Sequence, residues 1–222
     1  MTYEIKNYSH LKGIGKISDE AFAMHIKLYE GYVKNTNILT EKFEFLKTVD
    51  ADYFAKFLPE FTEMHRRFGW EFNGMRLHEL FFDVLVAPPL QGGGRGGVSD
   101  TEKLPRPSGT PSKEGEDQVQ GQIKIKIEED FGSVENWKKD FLAIAKMRGM
   151  GWAMLVQDQK TGKLINTWVN EHDAGMLADV KIILNIDMFE HAYVKDFGTD
   201  RAPYLESIFA HIDWAVVSER LN

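Results

Sequence analysis

The chain has 222 residues, 43% of them hydrophobic and 27% charged, which leaves room for one large domain or two small ones at roughly 100–200 residues each. It contains no cysteine, which excludes disulfides, thiolate zinc sites, iron–sulfur clusters and cysteine nucleophiles, so any metal must be held by His, Asp or Glu. The balance of 27 basic and 34 acidic residues, net −7, argues against a nucleic-acid surface and means that an anionic ligand would need a local basic patch.

In chain order, Ile17 to about Leu46 predicts a long helix. Ser18 supplies a cap, Asp19 and Glu20 an acidic first turn, and apolar residues recur at Phe22, Leu28, Tyr29, Tyr32 and Val33. A short helix is expected over Asp52–Leu58, stopped by Pro59, and a second long one over Phe61–Val86. Gly69 and Gly74 inside that helix each cost about 1 kcal/mol against Ala, which points to close packing against another element. Together these segments predict a helical hairpin over residues 1–86. Residues 87–122, from Ala87 to Gln122, are rich in Gly, Pro, Ser and charge with almost no large apolar side chain. That composition predicts a linker.

Residues 123–222 predict an α/β domain. Ile123–Phe131 fits a helix or a short strand, and Ser133 caps a helix running through Met147. Met150–Val156 and Leu164–Asn170 read as strands joined by a DQKTGK hairpin turn, and Val180–Ile186 as a third. A closing helix is expected from Pro203 to Leu221. The fold class is α+β, with a three-stranded antiparallel sheet. No apolar run approaches the ~20 residues needed to cross a bilayer, so no membrane partner is expected. The opening MTYEIKNYSH lacks a secretory pattern, so a cytoplasmic location is expected.

Seven histidines are candidates for chemistry. Asp187 and His191 lie four apart just after a predicted buried strand, spaced to converge on one point. His78 sits among Leu77, Leu80, Phe81 and Phe82, where an imidazole needs a partner, and His25 precedes Tyr29 and Tyr32. Imidazole with carboxylate suits iron, manganese or zinc; a non-haem iron site of two histidines and one carboxylate is the alternative on spacing alone. HELFF at His78 lacks the second histidine of a zinc-protease helix, and Gly92–Gly97 is not followed by the lysine of a phosphate loop.

The string LNIDMFEHAYVKDF (Leu184–Phe197) resembles the D-x-W-E-H-A-Y signature of the iron/manganese superoxide dismutases, with Asp187, Glu190, His191, Ala192 and Tyr193 in register. FNGMRLHELFF, YVKNTN, EEDFGSVENWKKDF, GWAMLV and RAPYLESIFAHIDW are similar to further segments of that family in the same order. The resemblance implies one iron or manganese ion per subunit, held between the two halves by His78, Asp187, His191 and a first-half histidine. Aligned without a gap, the first-ligand position falls on Met24, and His25 lies one residue later, about 100° around a helix. A one-residue deletion that regularises a helical bulge restores it, so His25 is the expected ligand.

By the same resemblance, Tyr32 is the gate to the metal. His172 occupies the place of a Gln or His that hydrogen-bonds the metal's solvent, which leaves iron or manganese open. Leu28 and Val194 replace a hydrogen-bonded gateway pair, expected to have become an apolar contact. Trp152, Met154 and Phe189 are the expected lining, and Lys27 and Arg201 candidates for positive charge at the mouth. The implied activity is superoxide dismutase, turning superoxide into dioxygen and hydrogen peroxide. The implied partner is a second copy of the chain, with Glu190 and His191 at a homodimer interface. The alternatives are an inactive or differently metallated relative, or a non-catalytic scaffold of the same fold.

Overall fold

The computed structural model of the chain describes residues 2–87 and 119–222. Most of the predicted 87–122 linker therefore lies outside the described residues. Its last residues are within them: Val119 is buried and Gln122 already belongs to a helix.

Ser18 opens the first helix, its hydroxyl accepting from the Ala21 N–H, a cap of about 1 kcal/mol. Helix α1 (Asp19–Leu46) buries one stripe, Ala21, Phe22, His25, Tyr29, Val33, Thr36 and Leu39, at the spacing of a single helical face. Helix α2 spans Ala51–Lys56, and α3 runs from Leu58 to Asp83. Pro59 opens α3 and does not stop α2, because a proline in the first turn needs no N–H acceptor and has its φ preset for helix.

Contacts between α1 and α3 fall in opposite order along the two chains. Phe22 meets Phe82, His25 meets His78, Tyr29 bonds Glu79, Asn35 bonds Glu71, and Phe43 meets His65. The two helices therefore run antiparallel. At Gly74 they come so close that a Cβ would stand 2.5 Å from the Tyr32 ring, whereas nothing lies within 4 Å of one at Gly69. Close packing explains only the first of the two glycines.

In the second half, α4 (Gln122–Phe131) resolves the helix-or-strand choice, and α5 (Val134–Ala145) starts at the Ser133 cap. Strands β1 (Gly151–Asp158), β2 (Leu164–Asn170) and β3 (Val180–Asp187) form an antiparallel sheet in the order β2-β1-β3. Central β1 is buried for nearly its whole length, which is why it reads as an unbroken apolar run.

Helix α6 (Glu190–Phe197), for which the sequence reading had no element, follows β3, and the expected single closing helix is two, α7 (Ala202–Phe209) and α8 (Trp214–Glu219). The break is made by pairing with the end of α3: Val86 N–H donates to the His211 carbonyl and Asp213 N–H to the Val84 carbonyl. Asp213 then caps α8, accepting from Ala215 and Val216 N–H. The Arg220 guanidinium reaches from beyond α8 to the Leu80 and Ile183 carbonyls, and Asn185 donates to the Leu77 carbonyl. These bonds seat β3 on α3. Among the described residues no helix is long and apolar enough to cross a membrane.

Candidate metal centre

His25, His78, Asp187 and His191 come together where the helical hairpin meets β3 and α6. One donor atom from each lies within 4.8 Å of the others. Asp187 is at the centre, its Oδ2 3.1 Å from His25 Nε2, 3.4 Å from His78 Nε2 and 3.2 Å from His191 Nε2. The carboxylate is aimed by the backbone around it. Its Oδ1 accepts from the Phe189 N–H at 2.8 Å, and its own carbonyl accepts from the buried Tyr204 hydroxyl. Oδ2 is thereby turned toward the three imidazoles.

One side-by-side placement settles what the site fits. His78 Nδ1 lies 2.6 Å from the Gly74 carbonyl, which can only accept, so the proton sits on Nδ1 and Nε2 presents a lone pair. That Nε2 is fully buried without a hydrogen-bond partner and faces a carboxylate oxygen. Two acceptors opposed in a dry site are costly unless a cation lies between them. A proton is a poor candidate, because burial, with His25 adding to it, brings the His78 imidazole down to about 3. The residues fit a metal ion.

The other charges follow the same logic. Burial lowers the His25 imidazole against the pull of Asp187. Burial works to raise the Asp187 carboxyl, but His191 and His25 together hold it well below the usual carboxylate range. His191, the least buried of the four, is lowered by burial and raised more strongly by Asp187, so it ends above its ordinary value.

Helix α1 shows no departure from α geometry between Asp19 and Leu46, and its register turns His25 inward at 3% exposure while Met24 stands 51% exposed. Beside the cluster, Tyr32 stacks on the His78 ring and its hydroxyl lies 2.8 Å from His172 Nε2. Burial, with Asp187 nearby, pushes the Tyr32 phenol up to about 12, so it holds its proton throughout the neutral range. Trp152 meets the His78 ring edge-on, and Phe189 stacks on both His172 and His191. Met154 is buried on the same side of β1 as Trp152.

Some expected roles are not found. The Arg201 guanidinium bonds the Tyr193 hydroxyl and the carbonyls of Ala145, Met147 and Gly149, so it ties the α5–β1 turn to α6. Leu28 and Val194 do not close into a buried contact; each is 42% exposed. Lys27 is exposed on α1, and Glu190 is exposed beside His191. His10, His65 and His211 are outside the cluster, His65 stacked on Phe43 and His211 bonded to the Ser207 carbonyl. Trp152 as a hydrogen-bond donor, Trp70 at the edge of His172 and Tyr204 behind Asp187 were not legible in the sequence. Each acts across elements, and no local spacing signals it.

A family profile described as "Iron/manganese superoxide dismutases, C-terminal domain" matches residues 119–220. The chain is 30% identical to "Superoxide dismutase [Fe]" of Cupriavidus metallidurans over 99% of its own length and 96% of the relative's. It is 29% identical to the protein of the same name from Aquifex pyrophilus, over 99% and 92% of the two chains. It is 39% identical to "Superoxide dismutase [Mn] 1" of Halobacterium salinarum over 50% of this chain and 55% of that one. With the profile on the second half and relatives aligned through both halves, the chain belongs to the iron/manganese superoxide dismutase family.

Proposed function

We propose that His25, His78, Asp187 and His191 are the ligands of one iron or manganese ion, seated between residues 1–86 and 123–222. The protein is a superoxide dismutase: two superoxide anions and two protons give dioxygen and hydrogen peroxide. The observation that carries the ligand assignment is the bare, buried His78 Nε2 facing Asp187 Oδ2 at 3.4 Å. Bound there, iron or manganese supplies a one-electron couple, so that one superoxide gives up the electron that a second gains.

The residues do the rest. Three neutral imidazoles and one carboxylate keep the site net positive in either oxidation state, which favours an anionic substrate within a chain of net charge −7. Gly74 carbonyl on His78 Nδ1 and Phe189 N–H on Asp187 Oδ1 fix two of the ligands in orientation. Tyr32 holds its proton beside the site, and the rings of Trp152 and Phe189 restrict water.

We also place a homodimer interface on the α1–α6 face. Met24, Leu28 and Val194 stand 51%, 42% and 42% exposed there, and Glu190 lies next to His191 at the same edge. Light scattering on the purified protein reads the mass directly. Twice the chain mass is expected, falling to one chain mass in the Leu28→Lys, Val194→Lys double variant; a monomeric wild type removes this assignment.

Metal analysis and a superoxide-consumption assay on iron- and manganese-loaded protein test the central reading. About one ion per chain with metal-dependent turnover is expected. Protein that binds neither ion is a scaffold, and loaded protein without turnover is an inactive relative.

A further inference from the structure

Glu79 is a carboxylate for which the proposed reaction has no use, yet it is only 4% exposed and directly follows His78. Both of its oxygens are taken. Oε1 accepts from the Tyr29 hydroxyl at 3.2 Å, and Oε2 from Arg76 Nη1 at 2.6 Å. Tyr29 is fully buried, and its oxygen accepts from the Lys6 N–H at 3.0 Å, so its one proton is directed at Glu79. Arg76 is held in turn over the rings of Tyr3 and Phe72, at 5.2 and 5.6 Å. The segment before α1 thus supplies Tyr3 and Lys6 to either end of the link between Tyr29 and Glu79.

The place of this bond in the fold gives it a consequence. Tyr29 stands one turn after His25 on the buried face of α1, and Glu79 lies beside His78 on α3. Among these side chains is the Phe82 ring, 5.0 Å from His25, 5.8 Å from His78 and 6.1 Å from Tyr29. Ring contacts of this kind tolerate a small slide or rotation of one helix on the other, whereas a directed hydrogen bond does not. Burying a carboxylate to make one costs stability that a packed apolar pair would not cost. What the bond adds is a fixed register. The need for one is plain, because turning α1 by about 100° exchanges His25 for exposed Met24.

We propose that Glu79 is a positioning residue: through Tyr29 it locks the rotation of α1 on α3, so that His25 and His78 face Asp187 together. Its importance for metal binding rests on the ligand assignment above; the register itself does not.

The test begins on metal-free protein with carbon-13-labelled histidine, where the nuclear Overhauser effect between the His25 and His78 rings, 5.1 Å apart, reports the register. Tyr29→Phe combined with Glu79→Leu removes both partners of the bond at once, and Arg76, 42% exposed, turns to water. The double variant is expected to keep or gain thermal stability, to lose the His25–His78 signal, and to bind iron or manganese at least about tenfold more weakly. Stability and affinity moving apart is a pattern that a merely structural role does not produce. An unchanged His25–His78 signal overturns the proposal, whatever happens to the affinity, and so does a variant that loses stability and affinity together. Glu79→Gln keeps an acceptor for Tyr29 and should preserve both signal and affinity; loss of the signal there would assign the register to the charge of Glu79 and overturn the role of the bond. Should the wild type bind neither metal, the ligand assignment falls, and the ring signals of the variants still decide the register.

Discussion

His25 and Met24 are neighbours in sequence and opposites in the fold. A single position turns a side chain about 100° around a helix, and here it separates a residue at 3% exposure from one at 51%. Replacing His25 with Ala should therefore weaken metal affinity at least about tenfold, read by competition with a chelator, while Met24→Ala stays within about twofold. Retained affinity in His25→Ala would return the first-ligand role to another group. Protonation gives a second residue-scale prediction for the metal-free protein. Burial brings His78 to about 3 and lowers His25 from 6.5, so the unfolded chain binds protons that the folded one refuses. Stability from these two is present above their unfolded value and is lost as pH falls below about 6.5. Burial raises the Asp187 carboxyl, but His191 and His25 bring it well down, so its contribution also fades in acid. His191 is lowered by burial but raised more by Asp187, keeps its contribution there and offsets part of the loss. Urea unfolding at stepped pH should show a fall on the order of 1.4 kcal/mol per pH unit for each net proton taken up.

Between elements, the closest approach is that of α1 and α3 at Gly74. A methyl group there would stand 2.5 Å from the Tyr32 ring, so Gly74→Ala should cost about 1–3 kcal/mol by overpacking and displace Tyr32. Reduced turnover with metal content preserved is the expected pattern. Gly69→Ala, with open space around it, should instead stabilise by up to about 1 kcal/mol as an ordinary helix substitution. Arg201 is the corresponding device in the second half. Its planar fork spans three carbonyls and the Tyr193 hydroxyl, a geometry that a lysine does not reproduce. Arg201→Lys keeps the charge and should still lose about 1–3 kcal/mol of stability through unmet carbonyls. Equal stability of the two proteins in urea unfolding would remove this bracing role.

For the whole molecule, the metal and the fold are linked, because the ligands come from α1, α3, β3 and α6 and meet only in the native state. An ion that binds the folded chain alone stabilises it by about 4 kcal/mol at a thousandfold excess over Kd. The loaded protein should melt well above the metal-free one, and equal melting temperatures would separate this cluster from metal binding. Local patterning carried much of this architecture on its own. The Ser18 and Ser133 caps, the apolar stripe of α1, the turn after β1 and the β-branched run of β3 are all set by neighbours a few residues apart, and the EHAY string identified the family. What local patterning could not carry is whatever depends on partners far along the chain. The closing helix breaks because residues 211–213 pair with 84–86, and Arg201 becomes a brace because carbonyls near Gly149 accept from it. The two ring partners of His172 are an indole twenty residues away and a phenol from the other half. A sequence specifies periodicity and end signals, which are short-range. Which buried donor faces which acceptor is determined only when packing has removed water and left each polar group a single choice.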